Sequence, residues 1–210
     1  MLDLDAMQNP NQNQKEQACY VRFFNGALGL DTADIFVNGE LVSEGLRHGA
    51  FSPFRKAKPG AYKIDVKMGG QGSDVVYTEL VSLMEDIAYT MALTGDASHM
   101  SLAVLPLDLR QDVRLPNIRF ANVMPFDTVI DIDINGQKAV AGLMFKELSD
   151  GIEIEPQNHY VTVFDASSQK ILEDGLTIAA GKNYLAVISG SMGEPQNPPA
   201  LFVAADMPVL

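Results

Sequence analysis

The sequence contains no tryptophan and a single cysteine, Cys19. One thiol cannot form an intramolecular disulfide, so the hydrophobic core has to hold the fold together. Cys19 begins an apolar run with Val21 and Phe23, which predicts a buried and unreactive thiol. Tryptophan would be the most effective platform for stacking on a ligand ring, and its absence leaves other aromatic residues as candidates. We expect most of these candidates to be core residues. They are Phe23, Phe24, Phe36, Phe54, Tyr62 and Phe126.

Basic residues are also scarce. The chain has 15 Lys and Arg against 27 Asp and Glu, a net charge of −12 and a pI of about 4.5. Nucleic-acid binding needs clustered positive charge, so this composition excludes a nucleic-acid partner. We interpret the acidic surface as a source of solubility. The one local basic cluster, residues 55–58, is typical of a solvent-exposed edge strand protected by its charges.

Long apolar runs are absent. No stretch approaches the ~18 apolar residues that a membrane-spanning helix needs, so the sequence predicts no membrane span. Residues 1–16 are polar and rich in Asn and Gln, without an apolar segment, and are not a signal peptide as written. We expect residues 1–17 to form a disordered polar N-terminal tail.

The residues that could bind a metal are dispersed. His48, His99 and His159 lie about fifty positions apart without a neighbouring His or Cys ligand, so no zinc site is indicated. Residues 131–136 match the opening of a calcium-binding EF-hand loop, but its last ligand position is Gly142. We therefore interpret residues 131–136 as a strand and turn. Weak cation binding by Asp131 and Asp133 remains the alternative.

Motifs for nucleophilic or phosphate chemistry are incomplete. The segment 189–193, Ser-Gly-Ser-Met-Gly, lacks the first glycine of a nucleophile elbow, and residues 190–193 are more simply a hairpin loop. The glycine-rich segment 69–72 is not followed by the Lys-Ser/Thr of a phosphate loop. The sequence therefore predicts no catalytic, cofactor-binding or metal-binding residue, no cofactor, and a protein that is not an enzyme.

The chain repeats itself. When the sequence is compared with itself at an offset of 97 positions, two segments of the first half align with two segments of the second half. Beyond the glycine-rich segment 69–72 the offset becomes 95. A change of offset at a loop is expected, because loops tolerate changes of length. Gene duplication explains this order of matches. The matches include residues 20–25 with 117–122, 34–39 with 131–136, and Tyr89 with Tyr184.

Each copy has the pattern of short strands separated by turn residues every 8–12 positions, which is typical of a β-sandwich. Asn38-Gly39 and Asn135-Gly136 predict type I′ hairpin turns. We assign module 1 to residues 18–110 and module 2 to residues 111–210. The linker, Leu109–Leu115, is short enough to favour a shared interface. Predicted strands are 33–37, 41–46, 50–56, 61–68, 75–83, 87–94 and 100–107, then 130–134, 139–145, 148–155, 159–165, 170–178, 183–189 and 199–205.

The repeated motifs resemble the bacterial DUF4397 domain. Copy one carries V-R-F-x-N at 21–25, D-I-F-V-N-G at 34–39, F-S-P-F followed by P-G-x-Y at 51–62, and A-Y-T-M-A-L-T-G at 88–95. Copy two retains these motifs except in the middle, where Ser149-Asp150-Gly151 replaces Ser-Pro-Phe. The resemblance implies an all-β fold of two tandem immunoglobulin-like antiparallel β-sandwich domains. A fainter likeness links the opening strand to the periplasmic accessory protein of alginate O-acetylation.

This resemblance implies a non-catalytic binding or structural module of the bacterial cell envelope or exterior. Its partner would be a protein or a polysaccharide, and its location extracellular, periplasmic or at the cell surface. Two alternatives stay open. An accessory protein in exopolysaccharide modification would have a polar cleft between its modules, whereas a calcium-stabilised adhesive module would bind the cation through its aspartates. We expect function to lie where the copies differ, or in the groove between them.

Overall fold

The computed structural model describes residues 17–70, 74–96, 98–109, 116–125 and 128–207. Most of the predicted tail and linker, and Phe126, lie outside these ranges. Every regular element in the described ranges is a strand. Module 1 contains β1 (Cys19–Asn25), β2 (Thr32–Val37), β3 (Glu40–Arg47), β4 (Arg55–Ala57), β5 (Gly60–Met68), β6 (Val75–Leu83), β7 (Ile87–Thr94) and β8 (Ser101–Asp108). Module 2 contains β9 (Asn117–Asn122), β10 (Ile130–Ile134), β11 (Gln137–Leu143), β12 (Ile152–Glu153), β13 (Asn158–Asp165), β14 (Lys170–Thr177), β15 (Asn183–Ser189) and β16 (Ala200–Ala205).

The strands form two β-sandwiches with the same connectivity. In module 1 the sheets are β4-β1-β7-β8 and β3-β2-β5-β6, and in module 2 they are β12-β9-β15-β16 and β11-β10-β13-β14. The expectation of an all-β chain of tandem sandwiches is confirmed. Pairing is antiparallel except that β1 runs parallel to β7 and β9 parallel to β15. These parallel pairs are possible because the intervening strands supply the long crossover that parallel neighbours require.

Two predicted strands are much shorter than expected. Of residues 50–56, only Arg55 and Lys56 belong to a strand, β4, and of residues 148–155 only Ile152–Glu153 do. The preceding residues of each segment form a loop that touches the sheet by one isolated bridge, Phe24 with Phe51 and Ala121 with Leu148. Pro53 and Gly151 in these loops interrupt strand pairing, because proline has no N–H to donate and glycine lacks a side chain to pack.

The turn that follows β2 is built in the same way as the turn that follows β10. Asn38 and Asn135 have φ of 50° and 52°, and the glycines after them 84° and 76°, so the predicted type I′ geometry is present. The Asn38 carboxamide oxygen also accepts a hydrogen bond from the Lys63 N–H at 2.9 Å. The repeated Asn-Gly dipeptide therefore fixes both the turn and its attachment to the neighbouring strand.

The repeated aspartate at the start of this hairpin also has a structural role. Asp34 Oδ1 accepts from the Gly45 N–H at 2.6 Å, and Asp131 Oδ1 from the Gly142 N–H at 2.7 Å. Both glycines have positive φ, 57° and 66°, beside an irregularity in the strand register. The aspartate side chain therefore stabilises a β-bulge, a position that favours glycine.

A tyrosine near the start of the seventh strand joins the two sheets in each module. The Tyr89 hydroxyl oxygen accepts from the Met84 N–H, and that of Tyr184 from the Ala179 N–H, both at 3.0 Å. This arrangement is the tyrosine corner of immunoglobulin-like sandwiches. It explains why Tyr89 and Tyr184 match in the repeat.

The molecule is four sheets deep. Each module has its own apolar core between its two sheets. A third cluster lies between the modules, where β4-β1-β7-β8 faces β12-β9-β15-β16. Every residue of β7 is buried, because both faces of this strand are covered. Strands buried on both faces are continuously apolar, as Ile87–Thr94 very nearly is.

We predict that Asn25→Ala destabilises the protein by about 2–4 kcal/mol, because it leaves buried backbone groups without partners. Asn25 Nδ2 donates to the carbonyl oxygens of Leu30 and Leu46, and its Oδ1 accepts from the Ala27 N–H. Asn122→Ala is the matched variant, since Asn122 makes the equivalent three bonds. Urea unfolding measures the loss, and a change below about 0.5 kcal/mol in either variant would contradict this role.

Candidate functional site

The single thiol is buried as expected. Cys19 is inaccessible to solvent, and its Sγ lies 3.5 Å from the carbonyl oxygens of Ala57 and Lys58. Burial raises the pKa of the thiol, which lowers its thiolate fraction at neutral pH. Cys19 therefore packs as a small core residue where β1 meets β4.

The aspartates of the calcium-loop pattern lie on β10, as the strand interpretation predicted. Asp131 uses Oδ1 for the bulge and Oδ2 for an ion pair with Lys138 Nζ at 2.6 Å. The Lys138 hydrogen bond lowers the pKa of Asp131, and the Gly142 N–H lowers it further. Among the described residues no group of three or more His, Cys, Asp or Glu side chains is placed to hold a metal. The geometry gives Asp131 a structural role.

The histidines and serines are not brought together. His48 Nδ1 lies 3.1 Å from the Ala27 carbonyl oxygen, whereas His159 is buried between the Asn135 side chain and the Glu155 carbonyl. His99 is exposed beside Asp96. Ser189 is buried at the end of β15, and residues 190–199 connect β15 to β16 as the expected loop.

Two of the five described candidate aromatic rings are buried. Phe23 and its counterpart Phe120 lie in the module cores, and Phe24 lies between the modules. The remaining described candidates, Phe36, Phe54 and Tyr62, are half-buried. Tyr160, which the sequence did not single out, is 69% exposed on the outer face of module 2.

The junction between the modules is closed and largely apolar. Phe24 packs against Phe51 of its own module and against Phe202 of module 2, with ring centroids 4.6 and 5.4 Å apart. A Cβ added at Gly49 would lie 2.3 Å from the Phe202 ring. At this point the described residues of the two modules are in close contact, and they leave no room there for the polar cleft that the polysaccharide-accessory alternative requires.

Hydrogen bonds cross the junction in reciprocal pairs. Arg22 Nη1 donates to the Ala205 carbonyl oxygen at 2.6 Å, and Arg119 Nη1 donates to the Pro106 carbonyl oxygen at 2.5 Å. Pro106 and Ala205 are equivalent, because each lies opposite the corner tyrosine of its module. The junction therefore has local twofold pseudosymmetry.

A second reciprocal pair has the same relation. Thr94 Oγ1 donates to the Val123 carbonyl oxygen at 2.5 Å, and Ser189 Oγ donates to the Gly26 carbonyl oxygen at 3.0 Å. Both hydroxyl groups are buried, so these bonds satisfy polar atoms that the junction removes from water. The sequence had shown the two arginines only as matched positions of the repeat and Ser189 only as part of an incomplete nucleophile motif, and it gave no reason to single out Thr94.

One carboxylate neutralises part of the buried charge. Asp206 Oδ2 accepts from Arg119 Nε at 2.9 Å and from Nη2 at 2.6 Å, and Asp206 Oδ1 lies 3.5 Å from Arg22 Nη2. The Arg22 guanidinium also lies 4.7 Å from the Phe51 ring centroid and 4.4 Å from that of Phe54. Burial lowers the pKa of Arg22 to about 10, and burial raises the pKa of Asp206 against the opposing effect of the two arginines.

A cleft of about 410 Å³ opens in module 1 between the edge strands β3 and β4. Its walls reach the module core, and its mouth carries Glu40 on β3 and Arg55 and Lys56 on β4. We call this feature the edge cleft. Tyr62 lines it, and its hydroxyl donates to the Lys58 carbonyl oxygen at 2.8 Å. The apolar lining consists of Val21, Phe23, Val37, Val42, Ala57, Ile64, Leu83 and Met91.

Isoleucine side chains occupy the corresponding position in module 2. Ile152 pairs with Ile118 as Arg55 pairs with Val21, so Ile152 and Ile154 take the places of Arg55 and Ala57. Ile154 belongs to the module 2 core, and Ile152 packs against that core. The concave surface of module 2 lies further along β11, where Glu147 and Asp150 make it acidic. The basic cluster lies on an edge strand as predicted, but its position at a cleft was missed.

The edge cleft combines an apolar interior with a charged mouth. Arg55, Lys56 and Lys58 place positive charge on one side of it in a chain whose net charge is −12. Such a surface suits a ligand with an apolar part and a negative charge. None of the lining side chains forms a nucleophile–base pair with its neighbours among the described hydrogen bonds.

The family model for a domain of unknown function, DUF4397, matches residues 19–113 and 116–208. The chain therefore belongs to the DUF4397 family and carries two tandem copies of the domain. No curated protein sequence matches it, so the likeness to the alginate O-acetylation accessory protein gains no support. No helix in the described part is long and apolar enough to cross a membrane.

Two solved structures are similar at low levels. One is CBMbc (family CBM26) from Eubacterium rectale Amy13K in complex with maltoheptaose, with 8% identity, 91% of this chain and 98% of that chain covered, and a TM-score of 0.28. The other is described as alpha-glucan binding by a streptococcal virulence factor, with 10% identity, coverages of 87% and 95%, and the same TM-score. Similarity at this level carries no information about a ligand.

We predict that Asp206→Asn destabilises the protein by about 3–5 kcal/mol, because it leaves the buried Arg22 guanidinium and the partly buried Arg119 guanidinium without a counter-charge. Arg119→Met should cost less, and Arg22→Met least, since Asp206 keeps its two-point contact with Arg119 in that variant. Urea unfolding of the three variants gives the order. A larger loss in Arg22→Met than in Asp206→Asn would show that Asp206 is not the centre of the network.

Proposed function

We propose that this protein is a non-catalytic binding module of the bacterial cell envelope or exterior, and that module 1 binds the ligand in its edge cleft. The observation that carries this proposal is the difference between Ala57 and Ile154 at equivalent positions of the two modules. Module 2 closes its sandwich at this point with isoleucine, whereas the smaller Ala57 in module 1 borders the edge cleft.

An open core edge favours a binding role for physical reasons. When a ligand removes the apolar surface of a cleft from water, binding is favoured by about 25 cal/mol per Å² of apolar area buried. A purely structural module would gain stability from a larger residue at Ala57, as module 2 does from Ile154. Retaining alanine therefore fits selection for an accessible site.

The fixed orientation of the modules supports the same role. The junction buries apolar surface and hydroxyl groups on both sides, so the edge cleft belongs to a rigid support rather than to a hinge. The two alternatives have less support, because the junction is closed and because Asp131 is committed to the β-bulge and to Lys138.

We predict that wild-type protein binds 8-anilinonaphthalene-1-sulfonate saturably and that Ala57→Ile weakens this binding by at least about tenfold. The probe has apolar rings for the cleft and a sulfonate for its basic side. The same substitution should leave stability unchanged or raise it by about 0.5–2 kcal/mol, because it fills a cavity. Fluorescence titration and thermal unfolding provide the two measurements.

Ala141→Ile is the matched control, because Ala141 is an exposed strand residue of module 2. It should bind the probe as the wild type does. Equal affinity in wild type and Ala57→Ile, with both proteins folded, would refute ligand binding in the edge cleft.

A further inference from the structure

We infer that the occupant of the edge cleft is an extended peptide segment, apolar on one face and acidic at the mouth, which adds as a strand to the free edge of β3. This inference rests on the proposed function and names the class of ligand for the same site. Three features of the cleft lead to it: the edges of its two strands, the direction of its side chains and the sign of its charge.

The cleft lies between two strand edges. Among the described strands, β3 pairs only with β2, and β4 pairs only with β1. An unpaired edge presents N–H and C=O groups that can bind another strand. β3 spans Glu40–Arg47, whereas β4 spans only Arg55–Ala57 and lies between Pro53 and Pro59. The longer edge, β3, is therefore the one that offers a useful series of hydrogen bonds.

A strand added to β3 would direct alternate side chains into the cleft. Val42 packs against the module core and Glu40 lies at the mouth, so this face of β3 points between the sheets. Alternate residues of a neighbouring strand lie on the same face. Their apolar side chains would contact Val37, Val42 and Tyr62, the half-buried side chains of the cleft lining.

The charge of the opposite side selects acidic flanking residues. Arg55 and Lys56 lie on β4 and line the opening, with Lys58 just after them, whereas Glu40 lines it on β3. A peptide bound along β3 would place its own flanking residues near this basic cluster, where carboxylates are favoured and ammonium groups are not. A fatty acid would satisfy the apolar lining and the positive charge, but it would leave the edge of β3 unpaired. The structure therefore favours a peptide.

The test uses a fluorescein-labelled peptide, Thr-Glu-Val-Glu-Leu-Glu-Val-Glu-Thr, titrated by fluorescence anisotropy against the full chain. We expect saturable binding, at least about tenfold weaker in Ala57→Ile and about tenfold weaker in Arg55→Glu. Lys182→Glu, an exposed charge reversal in module 2, controls for net charge and should not change the affinity. A peptide with Lys in place of Glu, and one with N-methylated backbone amides, should both fail to bind.

The outcomes separate the peptide from the site itself. Binding of the N-methylated peptide as tightly as the parent would overturn strand addition to β3. Binding of decanoate, lost in Ala57→Ile, without any binding of the peptide would overturn the peptide assignment while leaving the cleft as a ligand site. Loss of binding of 8-anilinonaphthalene-1-sulfonate in Ala57→Ile, together with loss of peptide binding, supports both. Thermal unfolding of each variant confirms that it is folded.

Discussion

The arginines Arg22 and Arg119 reach across the junction in opposite directions, and the arrangement of the molecule depends on this exchange. Each donates to a carbonyl oxygen of the other module, and they share the carboxylate of Asp206. A buried and a partly buried positive charge beside one buried negative charge are an expensive combination, as the lowered pKa of Arg22 indicates. Apolar packing around Phe24 and Phe202 offsets that cost, while the directional bonds select a single orientation of one module on the other. Buried apolar area therefore holds the two modules together, and the hydrogen bonds determine their relative orientation.

This junction determines where a ligand can bind. It covers the outer face of one sheet in each module, so the exposed parts are the outer faces of the other two sheets and the strand edges. On the sheet of module 1 that faces away from the junction, polar side chains contact one another. Asp65 accepts a hydrogen bond from Thr78 and forms an ion pair with Lys63. The edge cleft between β3 and β4 is lined by apolar side chains and carries charges at its mouth. We therefore propose a strand edge as the ligand site, since the junction and the hydrogen bonds around Asp65 engage parts of the other surfaces.

Local sequence patterns predicted most of the fold, whereas the remaining features depend on contacts between residues far apart in the sequence. The Asn-Gly turns and most strand positions followed from residue types with few conformational options, such as Asn38 and Gly39 at positive φ. The segments 50–56 and 148–155 were predicted as strands, whereas only Arg55, Lys56 and Ile152–Glu153 are in strands, because Pro53 and Gly151 interrupt the pairing before them. Arg22 and Arg119 were recognised as repeated, but the partner of a buried charge is visible only once Asp206 is brought to it. The edge cleft depends on one side-chain difference, Ala57 against Ile154, whose meaning requires the register of β4 and β12.

Duplication explains how one module could keep an open edge. A single sandwich with a cleft at its core is less stable than a closed one, because the side chains that line the cleft lack van der Waals contacts on one side. In this chain module 2 closes the equivalent edge with Ile152 and Ile154 and packs its sheet against module 1 across Phe24 and Phe202. Module 2 thereby stabilises module 1 through the junction. If module 1 unfolded, the buried face of β15 would become exposed and Asp206 would lose its contact with Arg22. Arg22 and Arg119 at the junction are the same residue in both copies, whereas Arg55, Lys56 and Ala57 at the cleft correspond to Ile152, Glu153 and Ile154. Divergence at the edge is the consequence expected when one copy maintains the fold and the other binds.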